Sequence, residues 1–255
     1  MPEGAELLEL ARSLRRRLEQ AGEGEWPLPG LRPQAGERLR ELAAAIQACR
    51  RCPLGSCRLT AVPGAGSPRA RVMFVGEGPG YEEDHRGEPF VGKAGQLLER
   101  ILASIGLSRE GVYITNVVKC HPMRDPRSPE ARGNDRPPSP EEIAACRPFL
   151  EEQIRLVCPQ VIVTLGAVPA RALLGEAEPL ARLRGRWGIY RGGAAPVKVL
   201  PTFHPAALLR KPELKREVWA DMKALRRELE AGRDDSPPPG GASASGTRAG
   251  AAIER

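Results

Sequence analysis

The sequence predicts an α/β protein, a three-layer α/β/α sandwich with a mostly parallel central four-stranded sheet. Two observations carry this expectation. Short, continuously apolar runs read as strands buried on both faces, and helical patterns separate them, as crossover connections between parallel strands require. A third observation concerns function: Glu77, Asn116 and His204 each follow the end of a different apolar run, and ligands of parallel sheets gather at the carboxyl ends of strands.

The elements follow in order. RVMFV, from Arg71, reads as the first strand, and Leu97, Leu98, Ile101, Leu102 and Ile105 share one face of the helix after it. VYITNVV, from Val112, is the second strand. A helix then opens at Ser139, where S-P-E-E supplies an N-cap, a proline in the first turn and a capping-box glutamate at Glu142. VIVTLG, from Val161, is the third strand, AVPARALLG a short helix, and VKVLPTF the fourth strand. Leu214, Val218, Met222, Leu225 and Leu229 mark a closing amphipathic helix.

With 255 residues, 41% of them hydrophobic and 28% charged, the chain can bury one sizeable core. The expected organisation is an N-terminal helical extension and linker over 1–36, one main domain over 37–231, and a disordered tail over 232–255. Leu7, Ala11, Leu14 and Leu18 give the extension its helical stripe, and the tail is dense in Pro, Gly and Ser. No apolar run reaches the roughly 18 residues of a membrane span, and the N-terminus lacks a signal-peptide pattern. A soluble cytoplasmic protein, with no membrane partner, is expected. The net charge of +7 favours a polyanionic partner.

The turn GEGPGYEED, from Gly76, resembles a phosphate cradle only superficially. Tyr81 stands where a third glycine belongs, Pro79 removes an amide donor, and Glu77, Glu82, Glu83 and Asp84 crowd negative charge there. No nucleotide cofactor is therefore expected. The glycines instead allow close backbone approach to a flat ligand, and PFVGKAG offers Phe90 either as a stacking face or as a core residue.

Six cysteines in an unexported chain point to metal or to inert thiols more than to disulfides. Cys49 and Cys52 form a C-x-x-C pair, with Cys57, Cys120 and Cys146 further on. Cys158 reads as a small buried apolar residue. Four thiolates suit zinc or a [4Fe–4S] cluster, and spacing does not separate them; free thiols or a redox pair are the alternatives.

CRRCPLGSCR, VMFVGEGPGYEEDHRGEPFVGKAGQLLERIL, VYITNVVKCHP, EEIAACRPFLEEQI, VIVTLGAVPARALLG and FHPAALLR, in unbroken order, closely resemble family 4, the iron–sulfur type of uracil-DNA glycosylase. The resemblance implies the glycosylase-like sandwich fold, uracil-containing DNA as partner, and a [4Fe–4S] cluster on Cys49, Cys52, Cys120 and Cys146; nothing in the sequence demands more than a monomer. The chain departs from the family between Cys120 and Cys146, where MRDPRSPEARGNDRPP reads as an insertion. Its composition predicts a loop that swings out without moving the helix that carries Cys146.

What the resemblance implies for the site is specific. A uracil flipped from the DNA stack would rest on Gly76, Glu77 and Gly78, stack on Phe90, and have its pairing edge read by Asn116. His204 would donate to the carbonyl where charge builds as the base leaves. Glu77 or Glu83 would orient the attacking water, and Leu208 or Leu209 would wedge into the emptied stack, with Arg210 on phosphate. The reaction is monofunctional hydrolysis of the N-glycosidic bond, opening base-excision repair of deaminated cytosine. The alternative is a protein that binds uracil without releasing it or traps it covalently. Trapping relatives carry a reactive histidine ahead of the HP motif, and RLRGRWGIYRGG has none.

Overall fold

A computed structural model describes residues 34–175, 178–193 and 195–234. The expected N-terminal stripe and most of the expected tail lie outside them. Strands β1 (Ala65–Gly66), β2 (Val72–Gly76), β3 (Tyr113–Asn116), β4 (Val161–Leu165), β5 (Gly188–Tyr190) and β6 (Val197–Thr202) form one six-stranded sheet in the order β1-β3-β2-β4-β6-β5. Its four central strands are parallel, as expected. The expectation of four strands is corrected by β1 and β5, two short antiparallel edges against β3 and β6. Segments of two and three residues carry no periodicity by which a sequence could announce them.

Helices cover both faces. On one lie α1 (Ala35–Ala48), α2 (Leu54–Cys57), α5 (Pro140–Val157) and α6 (Ala167–Leu174). On the other lie α4 (Lys93–Ser104), α8 (Pro205–Arg210) and α9 (Lys215–Asp234). The strands read as continuously apolar because alternate residues enter opposite cores. Met73, Val75 and Ile162 pack with Ile46, Phe149 and Ile154, whereas Val72, Phe74 and Val163 pack with Leu98, Leu102 and Met222. Helix α1 begins inside the stretch expected to be a linker, because Leu39, Leu42 and Ile46 form a stripe against the first core. Two further short helices, α3 (Tyr81–Arg86) and α7 (Leu180–Leu183), and a 3-10 turn at Pro212–Leu214 complete the helices of the described residues. None of the helices described is long and apolar enough to cross a membrane.

Helix α5 starts as its sequence predicts. Glu142 N donates to Ser139 Oγ at 3.3 Å, and Ser139 N donates to Glu142 Oε2 at 2.8 Å. The same carboxylate receives Arg136 in a two-pronged pair at 2.8 and 2.6 Å, which holds its pKa below the usual carboxylate range.

That pair belongs to the inserted segment, and it corrects the expectation of a loop swung outward. Residues 123–138 fold back: Met123 bridges Asp135, and Arg136 Nε donates to the Met123 carbonyl at 2.9 Å. Asn134, 8% exposed, ties the turn to itself through Asp125 and Ser128. The segment then crosses α3, with Arg132 on Glu82 at 2.6 Å and Glu130 on His85 at 2.8 Å. Removing the Arg136 side chain leaves Glu142 buried without its charge partner and frees the loop. Arg136→Ala is therefore expected to lower unfolding free energy by about 1–3 kcal/mol in urea denaturation, and to expose residues 124–135 to limited proteolysis.

Candidate active site

The strand order reverses direction between β2 and β4, and at the carboxyl ends of strands at such a switch point parallel sheets form their ligand crevice. Register places Gly76 beside Asn116, and the pairing continues past both strands through Val117 N to Gly76 O at 2.9 Å. Only glycine fits at the end of β2. A Cβ on Gly76 would stand 2.3 Å from Asn116 Oδ1 and 2.6 Å from Phe90 Cζ. One backbone position is thus in contact with both an amide and a phenyl ring. Asn116 is 1% exposed, and its Oδ1 is buried with no hydrogen-bond partner.

Phe90 sits in the left-handed region at φ 54°, a conformation that costs a non-glycine residue about 1 kcal/mol or more. Three features hold it there. Arg109 donates to the Phe90 carbonyl at 3.0 Å and also to that of Pro89. Glu83 accepts from Val91 N and Gly92 N through one carboxylate oxygen, at 2.9 and 3.0 Å, and from Gly80 N through the other, at 3.1 Å. Finally, α4 runs hard against the loop: a Cβ on Gly95 would lie 1.7 Å from the Phe90 carbonyl oxygen. Both oxygens of Glu83 thus accept from backbone amides and tie the glycine turn to the Phe90 loop.

His204 caps α8 and faces the Phe90 ring, with centroids 5.4 Å apart. Its Nδ1 accepts from Ala206 N at 3.1 Å, so the neutral ring carries its proton on Nε2. Burial, reinforced by Arg210, pushes its pKa down to about 4. Glu77 is half-buried beside Gly76, and burial raises its carboxyl. At Gly78 a Cβ would meet Val118 Cγ2 at 2.8 Å, so the turn lies directly on the extension of β3. Leu208 and Leu209, paired in the sequence reading, separate. Leu208 is 1% exposed in the core, whereas Leu209 is 45% exposed beside the exposed Arg210.

Behind the crevice, Cys49, Cys52, Cys120 and Cys146 line a single cavity with Ile46, Lys119 and Phe149. Sulfur acceptors there have N–H donors: Arg58 Nη1 reaches Cys120 at 2.9 Å, Lys119 N reaches Cys146 at 3.3 Å, and Arg51 N reaches Cys49 at 3.5 Å. Burial pushes the Cys120 thiol up to about 11 and also raises that of Cys146. No three His, Cys, Asp or Glu side chains among the described residues close on one point as a single metal ion requires. Cys57 ends α2 and does not line the cavity. Cys158, expected to be buried, is instead half-exposed at the left-handed cap of α5, φ 49°.

Several residues of this region escaped the sequence reading. Arg109 and Gly95 gave no signal, since their work is done on a loop distant in sequence or on backbone. Lys119, 1% exposed, reads as a surface lysine until the fold encloses it; burial lowers its pKa to about 8 against the upward pull of Cys146 and Cys120. His121 is wholly buried between Asp135, at 2.8 Å, and Asp84, at 3.7 Å. Burial opposes its protonation, but those two carboxylates outweigh it and raise the pKa to about 9.

A model of the uracil DNA glycosylase superfamily matches residues 63–223. The chain is also 42% identical over 194 residues to the type-4 uracil-DNA glycosylase of Archaeoglobus fulgidus, covering 74% of this chain and 92% of the relative. This chain belongs to the type-4 uracil-DNA glycosylases. It is likewise 44% identical to the type-4 uracil-DNA glycosylases of Thermotoga maritima, over 74% of this chain and 94% of the relative, and of Pyrobaculum aerophilum, over 72% and 91%. The matched span of the glycosylase superfamily model contains the glycine turn, Phe90, Asn116 and His204.

The depressed pKa of His204 has a consequence for stability. The unfolded imidazole takes up a proton below about pH 6.5 while the folded one stays neutral down to about 4. Its contribution is therefore complete above pH 6.5 and is lost as pH falls through 4. In paired urea titrations at pH 7 and pH 4.5, His204→Gln is expected to lose less stability than the parent protein. Equal losses would mean that the imidazole is not held neutral.

Proposed function

We propose that this protein flips uracil out of DNA and hydrolyses its N-glycosidic bond, the first step of base-excision repair. The observation that carries the reading is the partnerless, buried Oδ1 of Asn116, set against Phe90 and opposite a neutral imidazole. A flipped uracil supplies what is missing. Its imide N–H donates to Asn116 Oδ1, and its neighbouring carbonyl accepts from the Asn116 amide. Cytosine presents an acceptor and a donor in those places, leaving buried groups unpaired at about 1–3 kcal/mol each.

Phe90 stacks on the ring. His204, unprotonated at Nδ1, donates from Nε2 to the second carbonyl, where negative charge grows as the C1′–N1 bond breaks. Main-chain amides of Glu77 and Gly78 add donors at the same oxygen. Water then bonds to C1′ and gives up a proton toward the Glu77 carboxylate, and the uracil anion is later protonated. Glu77 has this role rather than Glu83, whose oxygens are occupied by Gly80, Val91 and Gly92. Leu209, the exposed member of its pair, enters the gap in the stack, and Arg210 neutralises phosphate. One chain supplies every group, so a monomer suffices.

The four cysteines around the rear cavity fit a [4Fe–4S] cluster, which takes one thiolate at each of four separated irons, and the N–H donors on their sulfurs suit thiolate ligation. Cys49 at the end of α1, Cys120 after β3 and Cys146 in α5 would be joined by such a cluster, which would supply a structural cross-link. It has no electron to transfer, because hydrolysis is redox-neutral.

A uracil-containing oligonucleotide incubated with the protein and then heated in alkali should break at the uracil, and one carrying cytosine or thymine there should stay whole. His204→Ala should cut the single-turnover rate about 10²–10³-fold. Covalent protein–DNA adducts in place of scission would favour trapping.

A further inference from the structure

Lys119 joins two regions that the reaction otherwise keeps apart. Its side chain is enclosed, and all three ammonium hydrogens have acceptors: Thr115 Oγ1 at 2.8 Å, Gln153 Oε1 at 2.7 Å and the main-chain carbonyl of Asn116. Its own main-chain N–H donates to Cys146 Sγ, and the residue lines the cysteine cavity directly before Cys120. Thr115 and Gln153 are in turn fixed to the Pro63 carbonyl, at 3.0 and 2.6 Å, so the ammonium hangs in a rigid frame. A buried lysine is costly unless something anionic lies near it. Yet none of its three acceptors is a carboxylate.

A cluster held by four thiolates is a net anion. The cationic residues lining its cavity are Lys119, Arg58, which already donates to Cys120, and Arg51, whose guanidinium lies over the Phe149 ring. We propose that Lys119 is a positioning residue serving both sides: its ammonium is the buried counter-charge of the cysteine-held cluster beside the arginines of the cavity, and through the Asn116 carbonyl it fixes the amide that reads uracil. This rests on the reading that Cys49, Cys52, Cys120 and Cys146 hold iron and sulfide.

Lys119→Met, close in volume and uncharged, separates the possibilities, with Lys119→Gln keeping a polar head but no charge. Two quantities are read in cluster-containing protein: the midpoint potential by spectroelectrochemical titration, and the single-turnover excision rate at saturating protein. Loss of a nearby cation makes electron uptake harder, so both variants should show a more negative potential than the parent. Both should also excise uracil about tenfold more slowly or worse, with affinity for the uracil-containing duplex unchanged. An unmoved potential would refute the counter-charge, and an unmoved rate would refute the link to Asn116.

Should neither variant fold, Thr115→Val tests the link from the other side. It removes one acceptor of the ammonium without touching a cysteine and should slow excision, with Thr115→Ser restoring the rate; equal rates for all three would overturn the link. A parent protein lacking iron or excision would sink the underlying reading instead, a result distinct from a variant that behaves like an active, iron-loaded parent.

Discussion

The carbonyl oxygen of the Asn116 side chain is buried at the end of β3 without a protein partner, an arrangement that costs a folded protein about 1–3 kcal/mol until a donor reaches it. Much of the surrounding structure serves to keep that oxygen available. Gly76 withholds a side chain that would displace it, Phe90 is held in an unfavourable backbone conformation beside it, and His204 is kept neutral next to the Phe90 ring. The parallel pairing of β2 with β3 brings the first two of these groups into register, and the end of β6 supplies the third.

Rigidity at the crevice comes from charged groups bonded to main chain. Glu83 gathers three amides, Arg109 holds two carbonyls, and Asp84 accepts from Leu59 and Thr60 while facing the His121 imidazole. These groups bind the glycine turn, the Phe90 loop and the inserted segment into one body. Preorganisation of this kind lets donors meet developing charge without rearranging, which is where most of the rate advantage of such a site arises. The inserted segment adds to the same body through Asp135, Arg132 and Glu130.

The four central strands and the capped start of α5 were legible in the sequence because buried parallel strands and capping boxes leave local, periodic signals. Glu77, Asn116 and His204 were legible as strand-end residues because each follows an apolar run, and the structure sets both Asn116 and His204 near Phe90. What stayed hidden depended on tertiary enclosure. Lys119 is polar in composition and buried in fact; Leu208 and Leu209 differ only in how α8 is rotated. The inserted segment reads as loose because Pro, Arg and Asp dominate it, yet Asn134 and Arg136 supply the hydrogen bonds that a hydrophobic pattern would otherwise provide. The edge strands were too short to carry a pattern at all.

The most direct measurement is the rate of uracil release by Asn116→Ala under single-turnover conditions, taken with its affinity for the uracil-containing duplex. If the vacant oxygen is the reader of the base, release slows by about 100-fold or more while duplex affinity holds, because phosphate contacts are untouched. Release at the parent rate would contradict the account at its centre.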